Sequence, residues 1–370
     1  MDYNETGIRM EPEYFGAFWK YIKNPQVTDI DYNGHELWIT DVENERYPVK
    51  CSEITDKFIE QFSHRIANEV SRPFNRKNPL LEAETDTLRI SIVHESVAVS
   101  GRSICIRKSL PKVRLTVEGA LREEFCPPEV LALLVNCVLA KMNLVFCGEP
   151  GVGKTECAKF LTAFIPPEQK VITVEDTKEV HYREINPEKD CVELKVNEYF
   201  SYNDAMTEVL RMTPNRVMLS EARSTEVKQL VECWTTGITG FTTLHTDDVR
   251  KIPDRILNMM PSRQDAERLE NDVYVGMDVG VLLETRSSGE EGKQERYISQ
   301  IGFFSREDGK NRCVLAVQGG QLIEQQESKF LPEDIKRKMD KAGITDAFYC
   351  EQLQKMLEEE GMVYEKNVDS

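Results

Sequence analysis

Residues 146–157 read "FCGEPGVGKTEC", and within them Gly148, Gly153, Lys154 and Thr155 have the spacing of a loop that wraps phosphate. The stretch follows the apolar segment "NLVFC", which predicts a strand, and opens "KTECAKFLTAF", which predicts a helix, so the setting is the one such a loop requires. Gly151 and Gly153 allow the backbone to curl with its N–H groups pointing inward, and the helix N-terminus adds a dipole favourable to anions. Lys154 supplies a point charge to the outer phosphates and the Thr155 hydroxyl suits a Mg²⁺ ion. Gly148, Glu149, Pro150, Val152 and Glu156 complete the run expected to touch the phosphates. Cys147 and Cys157 flank the loop; they are expected as buried small apolar residues, with sensitivity of the loop to oxidation as the alternative.

Outward from the loop the order becomes strand, helix, strand, helix. "KVITVE", "RVMLSE" and "GFTTLH" predict strands, separated by the amphipathic "YNDAMTEVLRM" and "STEVKQLVECWTTG". This alternation predicts an α/β domain over residues 128–318 whose sheet is mostly parallel and covered on both faces. "VYVGMDVGVLLETR" and "ERYISQIGFFSRE", either side of the polar "SSGEEGKQ", predict an appended antiparallel hairpin. Upstream, "VTDIDYNGHELWIT", "TLRISIVHE" and "RSICIRK" alternate around the helical "SEITDKFIEQFSHRIANEVS", which predicts a smaller α+β domain over residues 1–110. Pro111 and the pair Pro127-Pro128 suggest a linker at 111–127 with a new helix starting near Pro128. Residues 319–370 read as a charged helical tail, a surface helix unless it caps an assembly or docks a membrane partner.

The 64 acidic and 47 basic residues give a formal net charge of −17, which argues against a main task of coating nucleic acid or an anionic membrane. Ten cysteines without a CxxC pair indicate neither a thiolate zinc site nor a disulfide framework, and a reducing cytosol fits. The first residues lack the basic and apolar regions of a secretory signal. The most apolar run, Val130 to Phe146, is broken by Asn136, Lys141 and Asn143 and falls short of the roughly 20 residues of a membrane span. The chain is thus expected in the cytoplasm, with any membrane association through partners.

A phosphate loop alone names no task, so the acids matter. Glu175 and Asp176 end one predicted strand and Glu221 another, at the edge where α/β sheets place ligands. A carboxylate there can hold the Mg²⁺ shell or orient an attacking water. In "GITGFTTLHTDD", His245 closes a third strand, beside Asp247 and Asp248, where an imidazole can sense a terminal phosphate.

These residues together resemble a known family. "GEPGVGKT", "VITVEDTKEV", "LRMTPNRVMLSEARSTE" and "GITGFTTLHTDD" are similar, in order and spacing, to the Walker A loop, aspartate box, Walker B segment and histidine box of the type II/type IV secretion and pilus-assembly ATPases. The N-terminal segments and "DVGVLLETR...RYISQIGFF" resemble the branch that serves tight-adherence pili and conjugation-like secretion. The resemblance runs from about Val27 to Phe304 and implies a RecA-like motor domain, a hexameric ring, and ATP with Mg²⁺ held between the N-terminal and motor domains. It implies an inner-membrane platform or channel protein as partner, and no direct nucleic acid.

By position, the resemblance gives Lys154 and Thr155 to phosphate and Mg²⁺, Glu175 to water activation, Glu221 to the metal shell and His245 to sensing. It gives Arg89 and Arg107 to the phosphates, and Arg211 and Arg223 to completing the site, in the same subunit or across an interface. Ser220, Thr213, Asn215, Ser224 and Asp247 depart from the usual pattern (Gly, Arg, Asp, Gly and Asn respectively), with Asp247 adding negative charge near phosphate. Two other readings stand beside this one: a RecA-like nucleic-acid motor, and a ring scaffold that binds ATP but scarcely hydrolyses it.

Overall fold

The alternating segments between residues 27 and 108 pair into a six-stranded sheet. The computed structural model describes residues 8–287, 294–323 and 331–359, and the chain divides into two units, one chiefly of residues up to Pro111 and one chiefly of those that follow. In the first, short helices α1 (Pro12–Phe15) and α2 (Trp19–Lys23) precede strands β1 (Val27–Tyr32), β2 (Leu37–Asp41) and β3 (Arg46–Val49), helix α3 (Asp56–Glu69), and strands β4 (Leu80–Glu84), β5 (Leu88–Val93) and β6 (Ser103–Lys108). The strand order is β3-β2-β1-β6-β5-β4, antiparallel throughout. Period-two alternation sends Ile30, Ile39, Ile90 and Ile106 to one face, where they are buried with Phe62 and Ile66 of α3. Thr55 caps that helix by accepting from the Phe58 N–H.

In the second unit the elements are α4 (Val117–Arg122), α5 (Pro128–Leu139), β7 (Leu144–Cys147), α6 (Lys154–Thr162), β8 (Val171–Glu175), α7 (Tyr182–Ile185), β9 (Cys191–Lys195), α8 (Tyr202–Met212), β10 (Arg216–Leu219), α9 (Val227–Thr235) and β11 (Thr239–Leu244). They continue with α10 (Ile252–Asn258), α11 (Arg263–Gly276), β12 (Val279–Ser287), β13 (Gln294–Glu307), β14 (Lys310–Gln318), β15 (Gln321–Leu322), α12 (Glu333–Lys341) and α13 (Glu351–Glu359). The nine strands are ordered β15-β14-β13-β12-β7-β11-β10-β8-β9. From β12 to β9 the pairs are parallel, so β7, β8, β10 and β11 all end at one edge. Every residue of β7, β8 and β10 is buried, as strands covered on both faces must be.

Helix α5 is buried on all sides from Val130 to Val138, which accounts for the most apolar run in the sequence without a membrane. No helix among the described residues is long and apolar enough to cross one. The polar interruptions in that run are structural. Asn136 donates to the carbonyls of Ala347 and Tyr349, each at 2.9 Å, and Asn143 donates to the Gly276 carbonyl while accepting from the Gly240 N–H. Lys141 takes φ +55 in the turn that leaves the helix.

Three expectations change and one holds. Residues 117–122, expected inside a linker, form a helix capped by Thr116, and Val117, Ala120, Phe125 and Cys126 are buried in the same core as α5. "VYVG" ends helix α11 and β12 starts only at Val279. The expected pairing across the polar segment is present, since β12 and β13 are neighbours in the sheet, while residues 288–293 of the expected turn lie outside the described residues; a second, tight hairpin follows, where Glu307 faces Lys310 across Asp308-Gly309, both at positive φ. The tail is not a surface helix, because Ile335, Met339, Cys350, Leu353 and Leu357 are buried in the main core and Lys338 reaches back to Asp278. Apolar residues four apart, Ile335 with Met339 and Leu353 with Leu357, give each tail helix one stripe, and that stripe has a core to cover.

Candidate active site at the sheet edge

The glycine-rich loop leaves the buried end of β7 at Cys147, and Gly148, Gly151 and Gly153 take φ +140, +84 and +93 before α6 begins at Lys154. A side chain is impossible at Gly148: a Cβ there would lie 2.3 Å from the Leu283 carbonyl oxygen. Gly148→Ala is expected to destabilise the second unit by at least about 2 kcal/mol, readable as a lowered melting temperature; an unchanged melting curve would contradict the close packing of loop on strand.

Lys154, only 8% exposed, folds back over the loop. Its Nζ donates to the carbonyls of Gly148 and Glu149 at 3.0 and 2.9 Å and lies 3.3 Å from His245 Nδ1. The same ring nitrogen is 3.1 Å from the Gly148 carbonyl oxygen. Across the ring, His245 Nε2 is 3.1 Å from Glu221 Oε1. A carboxylate oxygen so close requires Nε2 to carry a hydrogen, so both ring nitrogens are engaged whichever form Nδ1 takes. Glu221 Oε2 accepts from Arg223 at 2.7 Å, and the other end of that guanidinium donates to Asp176 at 2.8 Å. Hydrogen bonding to Glu221 raises the Arg223 pKa further above its ordinary value, against the opposing effect of burial. A continuous chain Lys154–His245–Glu221–Arg223–Asp176 therefore ties the loop to the ends of β11, β10 and β8.

Glu175 is buried at the last position of β8 and its Oε1 accepts from the Val180 N–H at 3.0 Å. Glu156, in the first turn of α6, accepts from the Arg114 N–H and pairs with buried Lys159. Val152 is buried, whereas Glu149 and Pro150 are exposed at the loop tip. Cys147 and Cys157 are buried and burial pushes both thiols up, Cys157 to about 12, which makes them poor targets for oxidation. Arg211 does not join the cluster. It sits at the C-terminal end of α8, which leads into the start of β10, so the topology puts it at the sheet edge opposite the loop, where it pairs with Glu208. In the first unit, Arg89 and Arg107 face each other across β5 and β6, and Arg107 donates to Asp29 at 2.6 Å.

One of the departing residues has a local reason. Nothing in the structure explains Ser220 in place of glycine; beside it, the Tyr202 hydroxyl accepts the Asp176 N–H at 3.1 Å and so fixes the end of β8. Asp247 is matched by Lys251 at 2.8 Å, which lowers its pKa and offsets the extra charge. Residues that sequence reasoning missed include Tyr202, at the start of α8, and Arg296 of β13, which donates to the Gly151 carbonyl at 3.3 Å. Neither carries a signal in the sequence, since each looks like an ordinary member of an amphipathic element.

The donor set suits a nucleoside triphosphate with Mg²⁺. The loop glycines leave room for an anion, and Thr155 with a carboxylate offers the few hard oxygens that Mg²⁺ takes from protein when phosphates and water supply the rest. The buried Thr242 hydroxyl, on the wall of the same small void as Thr155 and Ser220, has no hydrogen-bond partner among the described residues.

A family model described as type II/IV secretion system protein matches residues 80–282, more than half of the chain. The chain belongs to the type II/IV secretion system protein family. An uncharacterized Bacillus anthracis relative in this comparison is 28% identical over 303 residues, covering 79% of the chain and 68% of the relative. A Mycobacterium tuberculosis protein named for conjugal transfer is 24% identical over 273 residues, covering 69% and 74%. Two Methanocaldococcus jannaschii relatives are longer, and the chain spans 44% and 32% of them. Among solved structures, the Legionella pneumophila ATPase DotB shares the fold at a TM-score of 0.57 and 15% identity, covering 96% of the chain and 94% of DotB. The family membership agrees with the motifs read from the sequence.

Proposed function

We propose that this secretion-family chain is a Mg²⁺-dependent ATP hydrolase that works as a cytoplasmic hexameric ring motor for a type IV secretion, conjugation-like or tight-adherence pilus machine. Its partner is an inner-membrane platform or channel protein. Family membership and the DotB fold support a secretion ATPase. The observation that carries the chemistry is the unbroken chain from Lys154 through His245, Glu221 and Arg223 to Asp176.

The loop amides and Lys154 gather the β- and γ-phosphates, and Thr155 with Glu221 would hold Mg²⁺, which neutralises charge developing between those phosphates. Glu175 is the better base. Both oxygens of the Glu221 carboxylate are already engaged, one by Arg223 and one by His245. When phosphate draws Lys154 away from the Gly148 and Glu149 carbonyls, His245 loses a neighbour and transmits the change to Glu221. Arg89 and Arg107 are assigned to phosphate on resemblance, supported by their lying side by side on one sheet face. Arg211 would serve only a neighbouring subunit.

Glu175→Gln is expected to lower ATP turnover at least about a hundredfold while nucleotide binding stays within a few-fold of the parent. Paired measurements of phosphate release and nucleotide affinity check this. If Glu221→Gln alone gives that split and Glu175→Gln turns over normally, the roles are reversed.

A further inference from the structure

Beside the loop lies an open cavity of about 530 Å³ walled by Gly148, Glu149, Pro150, His245, Asp247 and Arg255, a size that small ligands occupy. Most cations around it are already committed. Lys154 is held by two loop carbonyls, Lys251 by Asp247 and Arg250 by Asp248, and both nitrogens of His245 are engaged. Arg255, in the middle of α10 and exposed, makes no ion pair or side-chain hydrogen bond among the described residues. Neutralisation of Asp247 by Lys251 leaves Glu149 as the opposing charge, and its exposed position at the loop tip lets solvent screen it.

We propose that Arg255 is a phosphate-binding residue of this cavity, taking the terminal phosphoryl group of a bound nucleoside triphosphate and the inorganic phosphate left after hydrolysis. The inference rests on the ATPase reading above and adds to it the group that meets phosphate on the solvent side. A guanidinium suits it, since its planar fork meets two phosphate oxygens at once.

The test uses the full chain, with inorganic phosphate as probe in a binding titration followed by phosphorus resonance, and ATP turnover in parallel. Arg255→Ala should weaken inorganic phosphate binding roughly tenfold or more and lower turnover, with the melting temperature unchanged because the side chain is exposed. Arg255→Lys should recover part of the binding. Phosphate affinity equal to the parent's in Arg255→Ala overturns the proposal, as does a loss of ring assembly with per-subunit phosphate affinity intact, which would make Arg255 an interface residue. Arg255-dependent phosphate binding by a chain that does not hydrolyse ATP would sink the ATPase reading and leave the phosphate site standing.

Discussion

Lys154→Ala is expected to lower steady-state phosphate release from ATP by about a hundredfold to a thousandfold, the range set by removing one preorganised donor from a site where charge develops. The effect has two sources. In the proposed function the ammonium is the loop's point charge for the outer phosphates, and it is also, with the Gly148 carbonyl, one of two contacts by which the loop touches His245, and so Glu221 and Arg223. Alanine removes both. ATP affinity should fall as well, because that charge is present before and during the reaction, so the variant differs from Glu175→Gln, where binding survives. Phosphate-release kinetics with a nucleotide-binding titration separate the two, and a Lys154→Ala protein with full turnover would contradict the assignment of the loop.

The largest expected effect on stability lies at the sheet edge opposite the glycine-rich loop. Asp278, between α11 and β12, is nearly fully buried; it accepts from the Asn143 N–H at 2.9 Å and pairs with Lys338 of α12 at 2.6 Å. Lys338→Met would strand that carboxylate in the core; because the lysine is a third exposed and the Asn143 N–H remains, the cost falls below the about 3–5 kcal/mol typical of a fully buried pair, at about 2–3 kcal/mol. Burial raises the Asp278 pKa despite the lysine. A folded-state pKa above the unfolded one means that the native state binds the proton more tightly. This contribution to stability is therefore present below the ordinary carboxylate range and lost as pH rises through the raised value. Denaturant titrations across pH should show Lys338→Met closest to the parent in acid and furthest from it at neutral pH. A penalty independent of pH would mean that the ion pair is not what α12 depends on.

What the sequence made legible follows from where side chains have no choice. The run from Phe146 to Cys157, the helix beginning at Pro128 and the strands around "VITVE" and "RVML" are recoverable because buried parallel strands must be apolar and a phosphate loop needs its glycines. Strand β9, "CVELK", was not foreseen: as an edge strand it is only partly covered, so its pattern carries little contrast. The β13–β14 hairpin had a signal, Asp308-Gly309, in a stretch that the sequence places in the domain without assigning it an element. Arg216 reads as a solvated strand start, yet it is fully buried, bonded to Gln169 at 2.7 Å and the Val138 carbonyl, with burial lowering its pKa to about 10. Site residues at strand ends were legible one at a time. Their linkage was not, because the bridge from Arg223 to both Glu221 and Asp176 depends on β8 and β10 being neighbours in the sheet.

The central claim is that this edge of the sheet hydrolyses ATP to drive a secretion machine, and steady-state phosphate release by the wild-type chain with ATP and Mg²⁺ tests it most directly. The predicted result is turnover that saturates with ATP, disappears when Mg²⁺ is chelated and is indifferent to single-stranded DNA. Release no faster than without protein, while nucleotide still binds, would show a scaffold instead, and many-fold stimulation by single-stranded DNA would show a nucleic-acid motor.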